Sequence, residues 1–490
     1  MSDHFQPSRF ARRQFLAQST CGLGAMALAN LLSEESSAGS RHADPLAPRA
    51  GHFEPLAKRV IFLTMAGAPS QLDLFTPKPV MRRFHGKRLP AAILENLDDA
   101  LIRGSARVFA SPRTFRQHGA CGMEFSDYLP HLATCADDLC MIRSMTTDVS
   151  NHHPAQLVLN CGIPRFGLPS MGSWVTYGLG SESRNLPAFA VLLSNNGPGD
   201  LGGTALWGNA FLPASYRGVT FRSRGEPILH LDRPAGISLP AQRARISAVA
   251  DLNRLHGEDR PDDAIASRTA AYELAFRMQT AGPELIDFSD ETAHTLNRYG
   301  IPDKTTNWFG SNCLLARRMV ERGVRFVQLY HYTWDDHSRL NDRLKSNCQM
   351  TDRPAAALIQ DLKQRGLLDD TLVIWGGEFG RTPMNEVRRG NTPGQEGRDH
   401  HPFGFTMLMA GGGVKPGFVL GDTDELGYHA VDEPVHIHDL QATILHCLGL
   451  DHERLTYRHQ GRDFRLTDVA GQVMRKVLDA PAAPLSWSPG

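Results

Sequence analysis

Histidines and carboxylates recur along this chain in short groups separated by tens of residues. His152 and His153 stand side by side in SNHHP, and Asp335, Asp336 and His337 lie together in TWDDH. Glu378 and Arg381 share GGEFGRTP, and Asp399, His400 and His401 close GRDHH. Imidazole and carboxylate are the donor set of zinc and related divalent cations, while carboxylate-rich sites lean to manganese, magnesium or calcium. Two cations about 3.5–4 Å apart can clamp the attacking and departing oxygens of a phosphoryl-type transfer. Arg381 suits an oxyanion, because its planar fork matches phosphate or sulfate oxygens. Each group alone also has a plainer reading. Paired histidines can be surface features, Asp335 a helix cap, and Glu378 with Arg381 a structural ion pair.

For these groups to meet, the elements carrying them must end in one place. VIFLTMAG at Val60–Gly67 is a continuous apolar run closed by glycine, the pattern of a buried parallel strand. Further strands are predicted at Leu139–Met145, Ala188–Leu193, Val324–Tyr330, Thr371–Trp375 and Phe405–Ala410. Helical patterns cover Asp127–Ala136, His153–Cys161, Asn312–Arg322, Pro354–Arg365 and His438–Leu448. The second is capped by Asn151 with Pro154 in its first turn, and the last stops at Gly449. This alternation predicts an α/β fold with a mostly parallel central sheet and helices on both faces.

In such a sheet ligands sit outside the carboxyl ends of the strands. Ser70, Gln71 and Asp73 follow the first strand. Asp148, Asn151, His152 and His153 follow the second. His331, Trp334, Asp335, Asp336 and His337 follow Tyr330, Glu378 and Arg381 follow Trp375, and Asp399, His400 and His401 precede Phe405. Five segments thus point to one edge. Residues 195–290, rich in Gly, Pro and Arg and then helical from Ala241 to Thr280, read as an inserted cap. Residues 44–58 read as a linker, 59–478 as the domain and 479–490 as a tail.

The 490 residues contain 52 Lys plus Arg and 52 Asp plus Glu. Zero net charge argues against nucleic-acid binding driven by bulk charge. With 41% hydrophobic and 21% charged residues the chain is not a disordered one. Eight cysteines are too sparse for a disulfide scaffold and read mostly as core residues, with at most one or two disulfides. After the first forty positions no apolar run approaches the ~20 residues of a membrane span. Residues 1–43 carry Arg12-Arg13, Phe15-Leu16 and a small-residue apolar stretch, Cys21–Leu32. That order predicts an export signal of the twin-arginine type. The expected partner is the twin-arginine export machinery, and the expected location is periplasmic or extracellular. There is no G-x-S-x-G elbow or Walker loop.

VIFLTMAGAPSQLDLFTPKP, the His152–His153 segment, TWDDH, VIWGGEFGRTP, GRDHHPFGF and HDLQATILHCLGLDHERLTYRHQGRDFRLTDV together resemble a sulfatase-like family. It is catalogued as domain of unknown function 1501 and commonly placed in the alkaline phosphatase superfamily. The resemblance runs from about Arg59 to Gly471. It implies an alkaline phosphatase-type fold and one or two divalent ions (zinc, calcium, magnesium or manganese). The implied reaction is hydrolysis of a phosphate or sulfate ester of a small molecule or glycan. Carried over by position, it implies metal ligands at Ser70 or Asp73, at Asp335 and His337, at Glu378, and at Asp399 and His400. It implies a nucleophile at a helix start, where this chain has Ser150 and His152 as the catalytic candidates, with Arg381 holding the anion. True sulfatases resemble one another in a Cys-x-Pro-x-Arg motif, whereas Cys161-Gly-Ile-Pro164-Arg165 moves the proline by one position. The alternative reading is a non-catalytic extracytoplasmic binding protein on the same fold, for instance for sulfated glycans.

Overall fold

Nine strands build the central sheet of the computed structural model: β1 (Arg59–Met65), β2 (Leu139–Thr146), β3 (Phe189–Ser194), β4 (Val219–Phe221), β5 (Phe326–His331), β6 (Thr371–Gly376), β7 (Phe405–Ala410), β8 (Phe418–Leu420) and β9 (Val435–His436). Six of the seven β1 residues are buried, as are all residues of β5, β6 and β7. Successive side chains point to opposite faces of a strand, so unbroken burial means that both faces are covered. The longer helices are α1 (His152–Cys161), α2 (Met171–Leu179), α3 (Leu239–Asp259), α4 (Asp263–Ile286), α5 (Asn307–Glu321), α6 (Leu340–Gln364) and α7 (Ile437–Cys447). The structure describes residues 44–88, 107–194, 202–229, 231, 233, 236–259, 263–386 and 394–479. The expected export signal, the tail from 480 and the first part of the expected cap lie outside the described residues.

The strand order is β8-β2-β7-β6-β1-β5-β3-β4, with β9 also paired to β2. Strand β7 runs antiparallel to β6 and β2, and every other pairing is parallel. The sheet is therefore mostly parallel, as expected. The carboxyl ends of β1, β2, β5 and β6 share one edge with the amino end of β7. This is why His400 precedes its strand while the other groups follow theirs.

Helix α1 is seated on the sheet by buried polar contacts. Asn160 Oδ1 accepts from Gln328 Nε2 at 2.6 Å and from the Tyr330 hydroxyl at 2.9 Å. Gln328 Nε2 also reaches Thr64 Oγ1 at 3.3 Å, so β1, β5 and α1 are tied in one network. The helix stops at Gly162, whose φ of 84° closes the last turn by donating to the Val158 carbonyl.

Three local expectations change. The helix expected at Asp127–Ala136 is a 3-10 helix at Leu132–Asp138. Pro130 cannot donate, and the N–H groups of His131 and Leu132 go to the Asp352 carboxylate at 2.8 and 2.7 Å. Helix α6 starts at Leu340 and carries Pro354 in its interior, although proline usually marks a helix boundary. Residues 44–58 are laid against the domain. Leu46 and Ala57 are buried in the main core, and the N–H groups of Leu56 and Ala57 donate to the Cys447 carbonyl. Among the described residues all seven cysteines are free and no helix is long and apolar enough to cross a membrane.

His331 closes β5 inside the core, with Ser194 Oγ 3.1 Å from Nδ1. Burial pushes its pKa down to about 4. The unfolded chain then binds a proton that the fold refuses. Stability is complete above pH 6.5 and declines as the pH falls towards 4, by about 3 kcal/mol for this one group. A His331→Gln variant is expected to flatten the pH dependence of the unfolding free energy in that window, measured by urea titration.

Candidate metal centre

His152 opens α1 directly after a loop, with Asn151 as an extended N-cap and Pro154 in the first turn, where its missing N–H does no harm. The ring Nδ1 lies 2.7 Å from Glu378 Oε1. A carboxylate only accepts, so Nδ1 carries a proton, and Nε2 is the atom left to hold a cation or a second proton. His337 repeats the arrangement with Nδ1 on the Glu386 carboxylate. His400 does so with Nδ1 donating to the Ser150 carbonyl at 2.7 Å. The three Nε2 atoms lie 3.1, 2.8 and 3.2 Å from one oxygen, Asp335 Oδ1. All four ligand atoms fall within 4.8 Å of one another.

Lone pairs directed at a carboxylate oxygen repel it unless a proton or a cation lies between. The electrostatics express that demand. Burial alone would raise the Asp335 carboxyl, but the three imidazoles and Arg381 hold it far below the usual range. Burial alone would lower His152, but Asp335 and Glu378 push it up to about 9. Three nitrogens and one carboxylate, each ring braced through its other nitrogen, fit a divalent cation of the zinc kind. Phe379, buried under the cluster, stacks on His152 with centroids 4.9 Å apart and lies 4.9 Å from the His400 ring.

Asp335, His337 and His400, expected as ligands, and His152, expected as catalytic, are brought together. Glu378 lies one layer out, and Asp399 joins His337 and Glu386 in a second group whose ligand atoms fall within 4.8 Å of one another. Glu378 is fully buried and accepts from His152, from Gln156 Nε2 at 3.0 Å and from the Gly67 N–H at 3.0 Å. Asp399 Oδ1 accepts from its neighbour's backbone, His400 N–H, at 2.8 Å and is 3.8 Å from His337 Nδ1.

Arg381 is not open to an anion. It has no solvent exposure, and its guanidinium donates to the carbonyls of Gly67, Ala68, Trp334 and Arg398 and to Asp335 Oδ1 at 2.8 Å. Its contacts make it a brace of the ligand loops. Ser150 meets the cluster through its backbone carbonyl.

Ser70 and Asp73 are placed elsewhere. Asp73 is fully buried against Arg398, with Oδ2 2.8 Å from Arg398 Nε and 2.6 Å from Ser70 Oγ. Burial opposes ionisation, yet Arg398 and the two serine hydroxyls of Ser70 and Ser111 keep the carboxyl below its ordinary value. The pair pins the loop after β1 to the segment that carries His400.

Sequence reading missed Glu386, Gln156 and Phe379. Gln156 had a signal, since it stands four residues after His152 on the same helix face. Phe379 lies between Glu378 and Arg381, two residues that were singled out. Glu386 follows no predicted strand and had no local signal.

Asp73→Ala leaves Arg398 buried without its carboxylate. It is expected to cost about 3–5 kcal/mol in unfolding free energy, read by denaturant titration. Divalent-cation stoichiometry of the folded variant, read by calorimetry, should match the wild type.

No curated protein sequence matches this chain. It is similar to several solved structures at low identity. The lipoteichoic acid synthase LtaP from Listeria monocytogenes is 10% identical over 83% of this chain and 77% of that one, with a TM-score of 0.32. A magnesium-bound mutant of TAB5 alkaline phosphatase is 12% identical over 81% and 99%, with a TM-score of 0.34. The PsFucS1 sulfatase from Pseudoalteromonas sp. is 12% identical over 81% and 68%, with a TM-score of 0.31. The profile of a protein family of unknown function, DUF1501, matches residues 57–478, and the chain belongs to that family.

Proposed function

We propose that this chain is an exported, metal-dependent hydrolase of phosphate or sulfate esters, with one divalent cation held by His152, Asp335, His337 and His400. The observation that carries the reading is the convergence of three Nε2 atoms on one Asp335 oxygen. Nitrogen-rich coordination favours zinc over manganese, calcium and magnesium, which lean to oxygen donors. Such a cation would, when bound, supply an acidified water and polarise the ester oxygen. The chain's own residues orient the donors. Glu378, Glu386 and the Ser150 carbonyl fix the three rings, and Arg381 fixes Asp335. The Asp335 side chain keeps 25% of its exposure, which leaves the cluster an open side for substrate. The ester class rests on the family resemblance. No side-chain nucleophile is needed when water attacks.

The second reading, a binding protein on the same fold, draws on Arg381. The one arginine on the cluster among the described residues is consumed by carbonyls and Asp335, and so offers a substrate anion nothing. Protein purified without chelators is expected to hold one cation per chain and to turn over members of a panel of aryl phosphates and sulfates. Asp335→Ala should lose the cation and at least about 100-fold in kcat/KM. A cation without turnover favours the binding protein, and a chain that takes up no cation ends both readings.

The export reading is supported by Arg12-Arg13 and the apolar stretch behind them. Replacing both arginines by lysine is expected to retain the full-length chain in the cytoplasm, measured by cell fractionation. Unchanged export would remove the twin-arginine route.

A further inference from the structure

We infer that Thr333 and Asn347 form a clamp that presets the position of Asp335 for the cation. The inference rests on the four-residue site proposed above. Thr333 has a φ of 84°, a left-handed conformation that a β-branched residue rarely adopts. Thr333 is an exposed residue, so core packing does not hold it there. Asn347 on α6 does. Asn347 is buried, its Nδ2 donates to the Thr333 carbonyl at 2.7 Å, and its Oδ1 accepts from the Thr333 hydroxyl at 2.8 Å. The same hydroxyl lies against the Tyr332 carbonyl. Both the backbone and the side chain of the strained residue are therefore gripped by one amide.

The strain sits two residues before Asp335, and the residue between is immobilised. Trp334 has no exposure. Its N–H donates to the Ala66 carbonyl at 3.3 Å, and its carbonyl accepts from Arg381 Nη2 at 3.3 Å. Gly67, at φ 106°, lies so close that a Cβ there would come within 2.6 Å of the Asp335 nitrogen. The turn after β5 can thus neither relax towards α6 nor drift towards β1. Strain held by surrounding contacts is the kind that serves pre-organisation. Its effect here is to fix the carboxylate oxygen at the point where the three imidazoles meet.

The test is a titration of full-length protein, stripped of metal, with cobalt(II), followed by its visible absorption bands. The wild type and Thr333→Ser, which keeps the hydroxyl, are expected to bind with the same affinity and the same spectrum. Thr333→Val, which keeps the shape and loses the hydroxyl, and Asn347→Ala are expected to bind about tenfold or more weakly with shifted bands. Thr333→Gly relieves the backbone strain and should melt no lower than the wild type, yet also bind weakly. That opposition between stability and affinity is what a purely structural role does not produce. Variants that bind cobalt as tightly as the wild type, with unchanged bands, overturn the clamp and leave the four-residue site standing. A wild type that binds no cobalt overturns the site and the clamp together. Should Asn347→Ala fail to fold, the exposed Thr333→Val decides.

Discussion

Four electron-pair donors aimed at one point are stable only with positive charge among them. In this chain three imidazole nitrogens face one Asp335 oxygen at hydrogen-bond distance, and each ring is turned that way by a contact at its other nitrogen. The contacts that turn them come from distant places: Glu378 after β6, Glu386 beyond it, and the carbonyl of Ser150 before α1. The constraint therefore reaches through most of the domain. A sheet that delivered any one of these loops out of register would leave an acceptor facing an acceptor.

Two buried arginines carry much of that delivery. Arg381 gathers the carbonyls of the loops after β1 and β5 around Asp335, and Arg398 holds Asp73 on one side and the Thr382 carbonyl on the other. Neither guanidinium has solvent exposure. A buried cation of this kind is tolerated because carbonyl and carboxylate oxygens around it replace water. The arginines do for the backbone of this region what a side-chain core does elsewhere. They set distances between loops that have no regular hydrogen-bonding pattern of their own.

Much of this was legible in the sequence. The strands were visible because buried parallel strands are unbroken apolar runs, and the rule that ligands gather at strand ends then picked out His152, Asp335, His337 and His400. What the rule could not do was sort residues within each segment. Asp73 and Asp335 both follow strands, and only the three-dimensional partner, Arg398 for one and three imidazoles for the other, separates a structural ion pair from a member of the candidate cation cluster. Arg381 looked like an anion clamp because its burial is invisible in GGEFGRTP. Helix α6 was read late because proline at position 354 resembles a start, and Glu386 escaped because it belongs to no periodic element.

The direction of β7 has an evolutionary consequence. Because this strand runs against its neighbours, the excursion from the end of β6 to the start of β7 departs from and returns to the same rim. Glu378, Arg381, Arg398 and His400 all ride on that excursion, and its two ends are paired to each other at Gly380–Arg381 and His400–His401. Lineages that keep the cluster must therefore keep the spacing at both ends of this excursion, because a shift of either end moves Arg381 or His400 off Asp335.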